Sequence, residues 1–221
     1  MKLLNNIKLL IAVDGGASSG KTTASKLIAK KYGLKLLTSG LLYRFIAYKL
    51  LKTKKIKSKK LFLKKIAKKI TSKNLKNRNL FRPEITKYTS EIAKIKRIRD
   101  LLKSHQINFA KNKLCIIEGR DIGTVVIPKA DLKLFFICSL NTKTKRRLKE
   151  YGKINKKISF NEVKKAIKLR DSNDSKRKIS PLKPAKDAVI VDTSKVNKKQ
   201  MLTKLSKIVE KKLKEKYGRN L

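Results

Sequence analysis

The stretch Asp14-Gly15-Gly16-Ala17-Ser18-Ser19-Gly20-Lys21-Thr22-Thr23 lies between an apolar run and a helical pattern. Upstream, Ile7 to Val13 alternates and then fills with Leu9, Leu10, Ile11, Ala12 and Val13, which predicts a buried parallel strand. Downstream, Ala24, Leu27, Ile28 and Tyr32 recur at helical spacing, and Gly33 stands where a left-handed residue would close the helix. Between them, Gly15, Gly20, Lys21 and Thr22 satisfy the pattern GxxxxGK[ST] of a phosphate-binding loop. The chemistry needs glycine because successive backbone N–H groups must turn inward around phosphate oxygens, and a side chain would block that cradle. The helix N-terminus near Lys21 adds partial positive charge, Lys21 can reach the β and γ phosphates, and Thr22 offers a hydroxyl to Mg²⁺. An ordinary glycine-serine turn has no reason to fix four positions in a strand–loop–helix setting. The expected ligand is a nucleoside triphosphate.

At 221 residues and 40% apolar composition, the chain can bury one substantial core with room for a small inserted lobe. No apolar run approaches the ~20 residues of a membrane span, and the N-terminal run is cut at Asp14, so a cytoplasmic, unexported protein is expected. Cys115 and Cys138 both fall in apolar runs and read as small packing residues in a reducing compartment. The lone His105 has no Cys or His neighbours and reads as a surface or packing residue. The net charge of +46, from 61 basic against 15 acidic residues, suggests nucleic acid at first sight. Only eleven of the basic residues are arginine, and the lysines run through every segment, Lys54 to Lys60, Lys64 to Lys69 and Lys195 to Lys216 among them. Lysine, isoleucine and asparagine share A/T-rich codons, so genome composition accounts for the excess. A nucleic-acid-binding function would also need aromatic stacking residues, and these are few and scattered. No specific nucleic-acid partner is expected.

Further strand-like runs occur at Leu114 to Ile117, Leu132 to Cys138 and Ala188 to Val191, with helical patterns between them. This alternation predicts a three-layer α/β/α domain with a parallel central sheet and ligands at the carboxyl ends of its strands. Within a single domain over residues 1–221, a lysine-rich segment with Leu61, Phe62, Ile66 and Ile70 suggests an inserted helical lobe, placed at residues 45–95. Residues 151–180, polar and with Phe160, Val163 and Ile167 at helical spacing, suggest a mobile lid. Val196 to Leu213 predicts an amphipathic helix packed on the sheet edge.

Four segments accompany the loop. After Leu34 to Leu37, the sequence Thr38 to Arg44 places Ser39 at a helix N-terminus with Tyr43 and Arg44 one turn later, an arrangement able to grip a second phosphate. Glu118 ends a strand beside the loop as an acidic partner of Mg²⁺ or water would, and Arg120 and Asp121 follow at once. Ser90 and Arg99 flank the helical stretch SEIAKIKRIR. Arg170, Asp174 and Arg177 recur at spacings of four and three, on one side of a helix. Taken singly, each reads as well as a surface ion pair or a cap; their joint order is that of a phosphoryl-transfer enzyme.

Over nearly its whole length the chain resembles bacterial cytidylate kinases, of the nucleoside monophosphate kinase fold. The family's SGxxYR matches Ser39, Gly40, Tyr43 and Arg44, and its GRDxGTVVxP matches Gly119 to Asp121, Gly123 to Val126 and Pro128. Its RDxxD, then arginine, then Pro-Leu, matches Arg170, Asp171, Asp174, Arg177, Pro181 and Leu182. The resemblance implies ATP bound by Gly15, Gly16, Ala17, Ser18, Ser19, Gly20, Lys21, Thr22 and Thr23, with Mg²⁺ at Thr22 and Glu118. It implies CMP and dCMP as acceptors, contacted by Ser39, Arg44, Ser90, Arg99, Arg120, Asp121, Asp174 and Arg177. Lys21, Arg120 and Arg170 are the implied catalytic residues, and the protein is implied to be a monomer. Thr38 stands where the family usually has aspartate, Gly16 to Ser18 replace Pro-Ser-Gly, and Glu118 replaces aspartate. The segment between Arg44 and Ser90 is shorter than in the longer members and lacks a β-hairpin pattern, which makes a related kinase acting on UMP the alternative.

Overall fold

A computed structural model describes residues 7–53, 55, 58–152 and 158–218. Lys54, Ile56 and Lys57 of the expected lobe and residues 153–157 of the expected lid lie outside the described residues. The chain divides into two compact units, one of residues 1–37 and 110–221, the other of residues 38–109.

The first unit is built on the central strand β1 (Leu9–Gly15), followed by α1 (Lys21–Tyr32) and β2 (Lys35–Thr38). It resumes with β3 (Leu114–Gly119), β4 (Leu132–Ile137) and β5 (Val189–Asp192), in the sheet order β2-β3-β1-β4-β5. β1 runs parallel to β3, with Leu9 opposite Leu114 and Asp14 opposite Gly119, and parallel to β4, with Ile11 opposite Leu132. β4 in turn runs parallel to β5. Burial on both faces explains why β1 is almost continuously apolar. Gly33, left-handed at φ 69°, closes α1 as its position predicted. β2 is a strand that the sequence pattern does not announce: it is four residues long, and its first, Lys35, is exposed.

The C-terminal helix, here spanning Lys198–Tyr217, covers a face of the sheet rather than its edge. Met201, Leu205, Val209 and Leu213 form one stripe and share a core with Leu9, Ile11, Ile28, Leu134, Phe136 and Val191. A four-residue spacing repeated over that length supplies enough apolar surface to roof the sheet beside α1. Asn197 and Gln200 form a reciprocal capping box that starts it, and left-handed Gly218 ends it. Helices Leu140–Gly152 and Phe160–Lys176 pack on one another. The latter also opens on a capping box, between Ser159 and Glu162, and buries Val163 and Ile167.

The second unit is helical among its described residues beyond Thr38. Its helices are α2 (Ser39–Lys52), α3 (Lys59–Lys68), the single-turn α4 (Ser72–Leu75), a 3₁₀ turn (Arg78–Phe81), α5 (Pro83–Ile92) and α6 (Lys96–Ala110). Leu42, Ile46, Leu80, Ile92, Ile98 and Leu102 are its fully buried large apolar residues. In α3 the inward positions are Leu63 and Ile66, whereas Leu61 is exposed and Ile70 lies past the helix end. Numbering on from α6, the helices Leu140–Gly152, Phe160–Lys176 and Lys198–Tyr217 are α7, α8 and α9. Among the described residues, no helix is long and apolar enough to cross a membrane.

Candidate active site

The phosphate loop leaves the carboxyl end of β1 and enters α1. Its backbone requires glycine twice. Gly15 sits at φ 150°, and a Cβ there would lie 2.5 Å from the Phe136 carbonyl oxygen. Gly20, at φ 86°, caps α1 in a left-handed conformation. Ser18 is also left-handed, at φ 53°. Such alternation turns backbone amides toward a common centre, the geometry of an anion nest. The loop is braced from outside: the Thr193 hydroxyl donates to the Ser19 carbonyl at 2.7 Å, and Arg146 Nη2 donates to the Thr193 carbonyl at 2.6 Å.

Lys21 is buried in the first turn of α1, and its Nζ donates to the Gly16 carbonyl at 2.8 Å. Burial holds its ammonium well below the usual lysine range; Arg120 pushes in the same direction and Glu118 opposes. A cation kept in a dry, partly uncompensated state is suited to accept a phosphate. Thr22, next along, is exposed and half-buried Thr23 follows.

A second group of residues hangs on the end of β3. Asp14, at the end of β1, accepts hydrogen bonds from the amides of Ile122 and Gly123, both at 2.8 Å. These amides open the π-helical turn Ile122–Val126, so Asp14 pins that turn and the Arg120-Asp121 pair before it. Arg120 Nε donates to Asp174 Oδ2 at 2.8 Å, and its Nη1 donates to the Gly119 carbonyl at 3.2 Å. Arg177 lies 3.7 Å from Asp174 and 3.6 Å from Asp121. Burial works against the charge on Asp174, yet Arg120, Arg170 and Arg177 together hold its carboxyl below the usual value. Burial likewise works against Arg120, and Asp174, Asp171 and Glu118 together more than offset it. The result is a buried arginine-carboxylate cluster whose cations stay charged and fixed in orientation.

Glu118 is 1% exposed, and neither carboxylate oxygen has a hydrogen-bond partner. Its field is felt at both Lys21 and Arg120. A buried carboxylate with free lone pairs between cations fits a hard divalent cation, which takes oxygen ligands.

In the helical unit, Ser39 begins α2, buried, and its Oγ accepts a hydrogen bond from Gln106 Nε2 at 2.7 Å. Arg44 is buried on the same helix; its Nη1 donates to the Leu80 carbonyl at 2.7 Å and to Thr86 Oγ1 at 2.9 Å, and its guanidinium lies 5.3 Å from the Phe81 ring centroid. Arg99 Nη1 donates to the Ala93 carbonyl at 3.0 Å, and its guanidinium lies 5.7 Å from the Tyr43 centroid. Ser90 is half-buried on α5.

Two placements correct the sequence reading. Ser90 and Arg99 do not flank one helix, because the chain breaks after Ile92 and restarts at Lys96. Arg177 is not on the helix of Arg170 and Asp174: it is the C-cap of α8, extended at ψ 140°, and its Nε donates to the Ser180 carbonyl. The Leu182 amide donates back to the Asp174 carbonyl at 2.8 Å, so the Pro-Leu segment folds over the helix end. Lys21, Glu118, Arg120, Asp121, Arg170, Asp174 and Arg177 are thus brought into one electrostatically linked group, and Ser39, Arg44, Ser90 and Arg99 into the helical unit. To the residues marked out by the sequence the structure adds Asp14, Gln106 and Lys143, whose Nζ pairs with Asp171 Oδ2 at 2.8 Å. Asp14 was detectable as an acid closing an apolar strand; Lys143 had nothing to set it apart from the other lysines.

A family model described as Cytidylate kinase matches residues 11–211. The chain is 37% identical to the cytidylate kinase of Thermotoga neapolitana over 215 residues, covering 92% of this chain and 98% of that protein. It is 38% identical to the cytidylate kinase of Thermosipho melanesiensis over 212 residues, again covering 92% and 98%. In fold it is similar to the crystal structure of an uncharacterized protein from Eubacterium ventriosum, with a TM-score of 0.57 at 15% identity, covering 93% of this chain and 99% of that one.

Proposed function

The chain belongs to the cytidylate kinase family, and on that premise we propose that it transfers the γ-phosphoryl group of ATP to CMP and dCMP, giving CDP and dCDP. The match over residues 11–211, which takes in the phosphate loop and the buried Arg120-Asp174-Arg177 cluster alike, is the observation that carries this reading. The transfer is direct and in line. Two highly charged nucleotides must be brought together, and catalysis comes from positioning and charge neutralisation, with no covalent nucleophile.

The roles follow from the chemistry of each group. Gly15 to Thr23 cradle the ATP phosphates. Lys21 leaves the Gly16 carbonyl for the phosphates, and Arg120 and Arg170 stabilise the charge that develops on the transferring group. Asp174 holds Arg120, Asp121 and Asp174 hold Arg177, and these groups face the acceptor. Ser39 and Arg44 take the acceptor phosphate, while Ser90, Arg99 and Asp174 read the cytosine edge. A base lacking that edge leaves these groups unpaired, which is the source of selectivity. Mg²⁺ would be held by Thr22 and Glu118 and would neutralise phosphate charge, a role the partnerless Glu118 carboxylate supports. Residues 45–95 serve as the acceptor-binding insert and residues 151–180 as the lid of one kinase domain. We further take the protein to be a cytoplasmic monomer with no specific nucleic-acid partner.

The test is product identity. With ATP, Mg²⁺ and CMP, ion-exchange chromatography should find CDP and ADP formed in equal amounts. ADP without CDP would mean an ATPase and overturn the reading.

A further inference from the structure

Asp171 precedes no known duty in the transfer just described, yet it makes the contact that joins helix α8 to the phosphate loop. Its Oδ1 accepts a hydrogen bond from the Ala17 amide at 2.7 Å. Its Oδ2 pairs with Lys143 Nζ, on α7, at 2.8 Å. The carboxylate lies against Gly16 so closely that a Cβ there would stand 2.6 Å from Oδ2. Both oxygens are therefore satisfied, and the approach depends on the missing side chain at position 16. The pair is largely withdrawn from solvent, with side chains 15% and 20% exposed, so it is screened far less than a surface ion pair.

Arg170 is the adjacent residue of α8, and its charge acts on both Lys21 and Asp174. Fastening Asp171 to the loop thus fixes, one residue away, where Arg170 stands relative to Lys21. The hydrogen bond uses the amide of Ala17, near the loop's entrance.

We propose that Asp171 is a positioning residue: with Lys143 it latches α8 to the phosphate loop, so that Arg170 is held in place for the transferring phosphoryl group and water is kept from it. This rests on the kinase reading above. A carboxylate beside a phosphate site has a second possible effect, competition with the phosphate for the same amides, and the two have opposite signatures. A latch assists the bound triphosphate and its transfer; a competitor hinders its binding.

Asp171→Ala removes both contacts, whereas Asp171→Asn keeps an oxygen for the Ala17 amide and loses the charge that Lys143 pairs with. The latch predicts that Asp171→Ala lowers kcat on the order of 10-fold to 100-fold, as misplaced catalytic groups do, with the KM for CMP changed less than about twofold. It also predicts that acceptor-independent ATP hydrolysis rises relative to transfer, roughly tenfold in ratio, because water is admitted. Asp171→Asn should fall between wild type and Asp171→Ala. Lys143→Ala, which leaves α8 intact, should shift the same ratio in the same direction. Tighter ATP binding with kcat unchanged or raised would overturn the latch in favour of competition, and an unchanged ratio of hydrolysis to transfer in both Asp171→Ala and Lys143→Ala would also overturn it. Wild-type turnover with CMP, measured alongside, tests the kinase reading separately, because the latch is judged only on variant-to-wild-type ratios.

Discussion

Replacing Asp14 with asparagine isolates the cost of the buried carboxylate that ties the phosphate-loop strand to the Ile122–Val126 turn. Asp14 is 5% exposed and accepts two backbone amides, yet burial pushes its pKa from 3.8 up to about 6 against those hydrogen bonds, with Asp121 nearby adding to the rise. A folded-state pKa above the unfolded value means that the group favours the fold most at pH below 3.8, and that this contribution is lost as pH rises through about 6. The gap between the two values corresponds to about 3 kcal/mol in full. Over the accessible window from about pH 4.5 to about pH 7.5, linkage gives a loss of about 2 kcal/mol. Asparagine does not titrate, so the unfolding free energy of wild type minus that of Asp14→Asn should fall by that amount across the window. The variant also turns an NH₂ group toward one of the two amides, at about 1–3 kcal/mol. That offset is the same at every pH, so the slope carries the result. Urea unfolding at a series of pH values and constant ionic strength supplies both curves. A wild-type-minus-variant difference that is flat, or that grows with pH, refutes the reasoning.

Arg120→Ala should reduce kcat on the order of 10³-fold if its guanidinium stabilises transferring charge as arginine fingers do; turnover within about tenfold of the parent would exclude that role. Arg99→Ala should raise the KM for CMP while leaving that for ATP unchanged, and equal loss of both in steady-state kinetics would contradict its assignment to the acceptor. Leu205, fully buried between α9 and the sheet, should cost about 2–5 kcal/mol when cut to alanine. A cost below about 1 kcal/mol by the same denaturation assay would place α9 at a less well packed position than described.

Much of the donor side is legible in the sequence because its chemistry constrains the backbone. Gly15 and Gly20 occupy positions that only glycine fills without strain, and Gly33 is fixed by the end of α1, so the loop and its helix stand out in one dimension. The strands β1, β3 and β4 are readable because both faces are largely covered, whereas β5, an edge strand with Val189 and Ile190 exposed, is readable only as a short apolar run. β2 escapes this rule, being four residues long with an exposed lysine at its start. The break between α5 and α6 was not legible, since neither glycine nor proline marks Ala93 to Ile95. Spacing placed Arg170 and Asp174 on one helix but could not show that the helix stops before Arg177, where Leu182 folds back. Hidden for a different reason are the supports of the site. Asp14 binds amides 108 and 109 residues further along, and Asp171 meets Ala17 from 154 residues away. Such contacts depend on tertiary closure and leave no local pattern.

The most direct test of the central claim is the value of kcat/KM for CMP, dCMP, UMP, AMP and GMP, each with ATP and Mg²⁺, by coupled detection of ADP at moderate salt. Salt matters here because the +46 charge would otherwise gather polyanions without specificity. The account predicts strong preference for CMP and dCMP. Equal use of UMP would contradict the assignment of Ser90, Arg99 and Asp174 to cytosine while leaving a kinase, and no acceptor-dependent turnover would contradict the kinase itself.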